Sequence, residues 1–310
     1  HFLTQAIRFD QQNFFAYFQL GVASTKALNY RRAELMFNLA RRFAPQECLS
    51  DLLSQFSQLY RLIDSEQHPE VLQKSLQLSR EAVEMNPNSD QAWFSLGLSL
   101  LKQQQSENDL AKAGQALRKA IQIRELEQKP FPDCRFNYGM LLKMRLDFQS
   151  SFEQFKMAYE EDSSLVQAQQ QAQLLEEIAQ TAVNKCQGRQ IEPCVFQDAQ
   201  KGIFGMTVGL NKFQIQFRIL TKLTKENQIP QFYLIQCIDK QQNLRAVFCT
   251  EAQKELETGA VVVLKEVTVK LVHLKTKTLK YEFLALQSAN MTVDGKEYQK
   301  GKIEWKSEVQ

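Results

Sequence analysis

An aspartate and an asparagine four residues apart, Asp133 and Asn137, form the clearest pair of side chains able to do chemistry in this chain. The carboxamide of Asn137 offers a donor and an acceptor together to a peptide backbone, and the carboxylate of Asp133 can pair with an arginine or lysine. The same aspartate can also cap the helix after Pro132. The chemistry that this pair supports is noncovalent binding.

Motifs for catalysis and metal binding are missing from the sequence. It has no GxSxG, Walker loop or HExxH, and no histidine stands at motif spacing from a nucleophile. The six cysteines include no CxxC pair, and the three histidines are scattered. We therefore expect no cofactor, no metal and reduced cysteines. The pattern favours a binding protein over an enzyme.

The elements that position Asp133 and Asn137 come from a pattern that returns about every 34 residues through the first half of the chain. In its clearest copy the small residues Gly21, Ala33 and Ala40 allow two helices to approach closely, while Phe37 fills the gap between them. These offsets are the helix-turn-helix signature of a tetratricopeptide repeat (TPR).

Two further copies keep this register, one beginning at Trp93 and one containing Gly139. The first of them carries an insertion, for which we expect a long loop over 102–112. A degraded copy stands between Pro45 and Trp93, with an apolar helix over 48–63 and a second helix over 72–87. The sequence therefore predicts four helix pairs.

Both ends of this array have their own patterns. The chain opens on FLTQAIRFDQQ, which matches the second half of a repeat, and it has no initiator methionine. We therefore expect an N-terminal truncation. Residues 166–186 carry apolar residues at helical spacing and predict a capping helix that ends near Lys185.

From residue 212 onward the hydrophobic period changes to two. Five runs rich in Val, Ile, Phe and Leu predict strands, at 213–223, 229–239, 243–250, 260–274 and 279–290. A short helix is expected at 251–259, where an OB-fold places one between its third and fourth strands. The Asp294-Gly295 dipeptide predicts a hairpin after the last strand.

These patterns predict α and β structure in separate domains, a TPR α-solenoid followed by a five-stranded OB-fold β-barrel. The expected boundaries are a solenoid with its capping helix over 1–185, a linker over 186–211, the OB-fold over 212–290 and a C-terminal hairpin or tail over 291–310.

Charge differs between the two parts of the chain. Residues 1–211 hold 22 basic and 24 acidic groups, whereas residues 212–310 hold 16 and 11. A surplus of this size is typical of a solvated lysine-rich surface, and a patch that faces nucleic acid is the alternative. No transmembrane run or signal peptide is visible, so no membrane partner is expected.

An OB barrel binds single strands where aromatic residues on its strands meet a basic groove. The aromatic residues Phe232, Tyr233 and Phe248 stand near Lys240 and Arg245 in the sequence. Strand alternation places Phe232 and Tyr233 on opposite faces, so at most one of that pair can stack on a base.

Two segments of the chain are particularly distinctive, SREAVEMNPNSDQAWFSLGLSLL and LTKLTKENQIPQFYLIQCID. In these segments and in its domain order, the chain resembles the family of tetratricopeptide repeat protein five, or Strap. Members of that family are transcription cofactors in stress, and they recognise the N-terminal peptide of nascent tubulin at the ribosome, which leads to decay of tubulin mRNA. The resemblance implies a peptide-binding adaptor located in the cytoplasm and also the nucleus. Its implied partners are nascent tubulin, the ribosome or a transcription coactivator.

The resemblance also implies particular contacts. The family's acidic and asparagine contacts to the peptide fall on Asp133 and Asn137. An arginine contact falls on Ser57, with Arg61 one turn away, and a glutamate contact falls on Gln167. A basic run that approaches ribosomal RNA is represented by Lys185 and Arg189.

Three functions therefore remain open from the sequence. The first is the peptide-binding adaptor, with Lys185, Arg189, Lys240 and Arg245 as RNA or partner contacts. The second is a structural subunit of a large assembly. The third is a single-stranded nucleic-acid binder that uses the OB-fold.

Overall fold

The computed structural model describes most of the N-terminal half of the chain and a set of strands after it. The described residues are 2–63, 70–103, 107–186, 209–211, 215–223, 231–237, 245–250, 256–265, 267–276, 280–287, 290–293 and 296–297.

The N-terminal part is a TPR-like array of helix pairs. Its elements are α1 (Phe2–Phe9), the pairs α2 (Phe14–Lys26) with α3 (Tyr30–Phe43), α4 (Leu49–Leu62) with α5 (Glu70–Met85), α6 (Asp90–Gln103) with α7 (Glu107–Leu126) and α8 (Pro132–Met144) with α9 (Phe148–Glu161), and finally α10 (Val166–Cys186). The four helix pairs and the final helix confirm the repeat pattern of the sequence.

Each regular pair is held together where a glycine of the first helix faces a bulky side chain of the second. These contacts are Gly21 with Phe37, Gly97 with Leu117, and Gly139 with Phe155. A β-carbon on these glycines would lie only 2.6 to 2.8 Å from the opposing side chain. The three opposing side chains are at most 1% exposed. The helices can therefore approach this closely only because glycine lacks a side chain.

The insertion in the third pair lengthens a helix. The long loop that we expected over 102–112 is wrong for residues 102–103 and 107–112, since α6 extends to Gln103 and α7 begins at Glu107. Leu110, Ala111 and Lys112 favour helix, and the helical turn buries Leu110 to 7% exposure. The burial of Leu110 therefore explains why these residues form helix and not a loop.

Three helices end on a residue other than glycine in the left-handed conformation. Leu28, Gln128 and Leu146 have φ of 57°, 55° and 60°. After α2, the N–H of Leu28 donates to the carbonyl of Thr25 at 3.0 Å, and that of Asn29 donates to Ser24 at 2.9 Å. This is the Schellman arrangement, in which glycine is the usual residue at the left-handed position.

The C-terminal part forms one sheet. Its strands are β1 (Gly209–Asn211), β2 (Ile215–Lys222), β3 (Gln231–Cys237), β4 (Arg245–Thr250), β5 (Val261–Lys265), β6 (Val267–Lys275), β7 (Lys280–Gln287), β8 (Asn290–Val293) and β9 (Lys296–Glu297). Their order in the sheet is β1-β6-β7-β4-β3-β2-β5-β8-β9. All neighbouring strands are antiparallel except β4 and β7, which run parallel.

The fourth strand expected from the sequence is two strands in the structure, since β5 pairs with β2 whereas β6 pairs with β7. The helix expected over 251–259 lies largely outside the described residues, and Glu257 to Gly259 form a turn in which Gly259 has φ of 91°. β8 and β9 pair antiparallel across the dipeptide Asp294-Gly295.

The chain divides into two compact units, which part within α8 after Tyr138. In the second unit the sheet packs on the helices α9 and α10. The rings of Phe148 and Phe232 meet edge to face with centroids 5.5 Å apart, and both side chains are at most 1% exposed. The backbone N–H of Lys275 donates to Oε1 of Gln149 at 2.7 Å. The domain boundaries at 185, 211 and 290 stay predictions.

We expect Leu28→Gly to stabilise the protein by about 0.5–1 kcal/mol, because it relieves a left-handed conformation at a side chain that is 67% exposed. Leu146→Gly makes the same backbone change but removes a side chain that is 4% exposed, so it should destabilise by about 2 kcal/mol. Urea unfolding of both variants measures the difference. An equal effect at the two positions would contradict this account.

Candidate functional site

The first helices of three consecutive pairs each carry an aspartate in their first turn. These residues are Asp51 in α4, Asp90 in α6 and Asp133 in α8. Partial burial and the neighbouring charge of Asp90 raise the pKa of Asp51, so the carboxylates of α4 and α6 are close enough to interact. The positive end of a helix dipole stabilises each of these carboxylates. They form an acidic row along the starts of the first helices.

Asp133 lies inside the first turn of α8, after the helix has begun at Pro132. It is therefore not the residue that precedes and caps the helix. Its side chain is half-buried. The carboxylate lies where the positive end of the helix dipole stabilises it.

Asn137 is buried to 3% exposure, and its Nδ2 donates to the backbone carbonyl of Asp133 at 2.8 Å. The structure thus brings the two residues together. With Nδ2 engaged within α8 and only 3% of the side chain exposed, little of Asn137 is accessible from solvent. The two-sided backbone clamp expected from the sequence stays a prediction.

Asp90 is neutralised by an arginine of the following helix. It forms an ion pair with Arg124, whose guanidinium also stacks 4.8 Å from the ring centroid of Phe131. Phe131 in turn meets Phe94 edge to face at 5.0 Å. Asp90 therefore orients the start of α6 against α7.

Ser57 and Arg61 are part of the core between α4, α5 and α6. Ser57 is 0% exposed and Arg61 5%. One terminal nitrogen of the guanidinium donates to Oγ of Ser57 at 2.9 Å, Oγ of Ser95 at 3.0 Å and Oγ of Ser99 at 3.1 Å. Oγ of Ser75 lies within 3.0 Å of both Ser57 and Ser99. We call these five residues the arginine–serine cluster.

The degraded pair contains the arginine–serine cluster in addition to buried apolar side chains such as Leu52, Phe56 and Leu78. In this pair Ser79, three residues before Ala82, occupies the position that Phe37, Leu117 and Phe155 occupy in the regular second helices. It therefore has one hydroxyl group where the other pairs have a ring or a leucine. Within the cluster the guanidinium joins α4 to α6, and Ser75 joins α5 to both.

The remaining candidate contacts are Gln167, Lys185, Arg189, Lys240 and Arg245. Gln167 is exposed near the start of α10. Lys185 lies in α10, and Arg245 begins β4, but the side chains of both lie outside the described part of the chain. Arg189 and Lys240 also lie outside the described residues. Their roles stay predictions.

Two of the three strand aromatics that were candidates for stacking are buried, and the side chain of the third, Phe248, lies outside the described part of the chain. Phe232 and Tyr233 are both 0% exposed. Phe232 packs on Phe148, and Oη of Tyr233 accepts the backbone N–H of Leu256 at 3.0 Å. Strand β3 is therefore covered on both faces, and neither ring is available to a base.

The described residues contain no group of three His, Cys, Asp or Glu that could hold a metal ion. Cys134 is 0% exposed, its Sγ lies 3.4 Å from the carbonyl of Leu117, and burial raises the pKa of its thiol well above the usual range. A thiol in this state is a poor nucleophile. Within the described part of the chain, no helix is long and apolar enough to cross a membrane.

Sequence reasoning missed Asp51 and Asp90. The signal that could have revealed them was a carboxylate near the start of successive first helices, since α4, α6 and α8 all have it. Ser75, Ser95 and Ser99 of the arginine–serine cluster were also missed, because serines scattered over α5 and α6 resemble an ordinary polar surface.

No family model and no curated protein matches the chain. Similar solved structures include YrrB, a TPR protein with an unusual peptide-binding site, at 20% identity over 56% of this chain and 80% of that one, with a TM-score of 0.39. TTC0263, a thermophilic TPR protein of Thermus thermophilus, is 17% identical over 56% and 86%, with a TM-score of 0.46. MamA from Desulfovibrio magneticus is 20% identical over 53% and 83%, with a TM-score of 0.36. The helical-repeat fold rests on the helix pairs described above.

A double-mutant cycle tests the arginine–serine cluster. Ser99→Ala removes an acceptor from a buried guanidinium and should cost about 1–2 kcal/mol of unfolding free energy. In an Arg61→Met background the same change should cost about 1 kcal/mol less, because no guanidinium then lacks its acceptor. Urea unfolding gives the four free energies.

Ser79→Ala is the matched control. Ser79 is 0% exposed, but its Oγ donates to the carbonyl of Leu76 in its own helix. Its cost should be the same with and without Arg61. Additivity of Ser99→Ala with Arg61→Met would show that the cluster is not energetically coupled.

Proposed function

We propose that this protein is a non-enzymatic adaptor that holds a short, positively charged peptide against the first helices of its repeat array. The observation that carries the proposal is the acidic row of Asp51, Asp90 and Asp133 at the starts of consecutive first helices. A basic side chain or a free amino group can pair with Asp133, and Asn137 can accept from the peptide backbone.

The N-terminal segment of nascent tubulin is the peptide that the family resemblance implies. The same proposal includes association with the ribosome or with a transcription coactivator. It also includes a cytoplasmic location that extends to the nucleus. Support for them comes from the match at Asp133 and Asn137. Ser57 and Arg61 do not support them, since both are buried in the arginine–serine cluster.

We also propose that the sheet is a barrel of the OB type. Strands β5 and β6 are separated by residue 266 alone and occupy the two ends of the run β6-β7-β4-β3-β2-β5. A single bent strand would then join the two ends, and the parallel pair β4 and β7 matches the third and fifth strands of that fold. With Phe232 and Tyr233 buried, this barrel is better suited to packing on protein than to stacking bases.

A structural subunit of a large assembly is the second candidate function. Large apolar side chains are exposed on α1 and α2, where Phe2 is 85% exposed, Phe9 92% and Phe15 63%. Such side chains are typical of a surface that another protein covers. Stable co-purification with partners at high salt would favour this candidate, and recovery only as a free monomer would count against it.

Fluorescence anisotropy tests the adaptor function, with the full chain titrated against a labelled peptide that copies the tubulin N-terminus. Asp133→Asn keeps the shape of the side chain and removes its charge. We expect it to weaken binding by about 10- to 100-fold, since a charged hydrogen bond contributes about 1.5–3 kcal/mol. A charge-reversed peptide should bind weakly to both proteins.

Glu84→Gln on the second helix α5 is the matched control, because it removes an exposed carboxylate from the opposite member of a pair. Its affinity should equal that of the unmodified protein. If Asp133→Asn also leaves the affinity unchanged, peptide binding does not involve Asp133. Equal weakness for both peptides would remove tubulin as the ligand.

A further inference from the structure

Basic residues of the second helices are concentrated on α3. This helix carries four arginines and one glutamate, whereas α5 carries two basic and three acidic residues, α7 four and three, and α9 one and three. The balance of charge on α3 therefore differs from that of the equivalent helices. Repeat architecture alone does not require this difference.

Contacts within the helix array pair only some of the charged side chains of α3. Glu34 accepts the hydroxyl of Tyr60 at 2.6 Å, and Arg41 forms an ion pair with Glu81 of α5. Arg31, Arg32 and Arg42 are exposed, and their side chains make no hydrogen bond or ion pair with the described part of the chain. These three arginines face solvent.

Arg31 and Arg32 stand where a helix disfavours cations. α3 begins at Tyr30, its first turn contains no acidic residue, and the side chain of Asn29 caps it by accepting the N–H of Arg32 at 3.2 Å. The positive end of the helix dipole repels both guanidinium groups. Two arginines thus occupy positions where glutamate or aspartate would stabilise the fold.

Exposed leucines accompany these arginines. Leu35 is 55% exposed and lies one turn after Arg31 on the same face of α3, and Arg42 lies two turns further along that face. Leu28, two residues before the helix, is 67% exposed and holds the left-handed conformation that glycine would adopt without strain. Residues that are unfavourable for helix stability or solvation therefore recur within the short segment 28–35, which is typical of a functional site.

We propose that this surface of α3, formed by Leu28, Arg31, Arg32, Leu35 and Arg42, docks an acidic, leucine-containing segment of a partner protein. Arginine forks match carboxylates, and the two leucines require an apolar partner group. A phosphate backbone would satisfy the arginines and leave the leucines in water. This site is on a second helix and is separate from the peptide site on the first helices.

The test uses the full chain and a short fluorescein-labelled peptide of glutamates and leucines at helical spacing. Arg31→Gln with Arg32→Gln should weaken binding about tenfold or more, and so should Leu35→Ser, which changes no charge. The matched control is Arg80→Gln with Lys156→Gln, which removes two exposed cations from α5 and α9. It should leave the affinity within about twofold.

Thermal unfolding separates a docking role from a structural one. Arg31→Gln with Arg32→Gln should raise the melting temperature or leave it unchanged, because it removes two cations from a helix N-terminus. A lower melting temperature together with weaker binding would indicate a structural role and overturn the proposal.

Three further results would overturn it. Equal loss of binding in the Arg80 and Lys156 control would indicate nonspecific charge attraction. No binding of the peptide at about 1 mM would exclude an acidic segment of this kind. Tighter binding of a labelled oligouridine, with the same dependence on Arg31 and Arg32, would identify nucleic acid as the partner. Asp133→Asn should leave docking on α3 unchanged, so the experiment tests the α3 site independently of the proposed peptide site.

Discussion

The close approach of paired helices is the constraint on which the array depends. In three pairs a glycine of the first helix lies directly against Phe37, Leu117 or Phe155 of the second, at a distance that excludes even a methyl group. Each contact fixes the separation of the two helices and therefore the position of the next pair. The acidic row on the first helices and the basic surface of α3 have their places because this separation is nearly the same in each regular pair.

The degraded pair meets the same constraint by different means. It has no ring or leucine at the position of Ser79, but the arginine–serine cluster links α4 to α6 through a guanidinium that is 5% exposed and links α5 to both through Ser75. Such a network is stable only if its members are satisfied together, because a buried polar group without its partner is costly. The pair thus adds a polar network that links three helices to its apolar packing.

Two surfaces of the array differ in whether their charges stabilise the helices that carry them. The second helix α3 has cations at its positive end and an exposed leucine in a left-handed conformation before it, whereas the starts of α4, α6 and α8 carry the carboxylates that a helix dipole favours. The first pattern opposes the helix dipole, and the second agrees with it. The acidic row can therefore gain stability from the dipole, whereas the surface of α3 cannot, which is why binding is proposed for it.

The sequence by itself determined the repeat, the helix pairs and the change to strands, because glycine spacing and hydrophobic period are local properties that each pair or strand expresses on its own. It also placed Asp133 beside Asn137, since a spacing of four residues is local. Tertiary structure decided that Ser57 and Arg61 are core residues and that Phe232 and Tyr233 are both buried. It also decided that residues of the insertion form part of α7. Each of these outcomes depends on side chains from other helices or strands that bury the residue. Because these partners are distant along the chain, no local sequence pattern reveals such contacts.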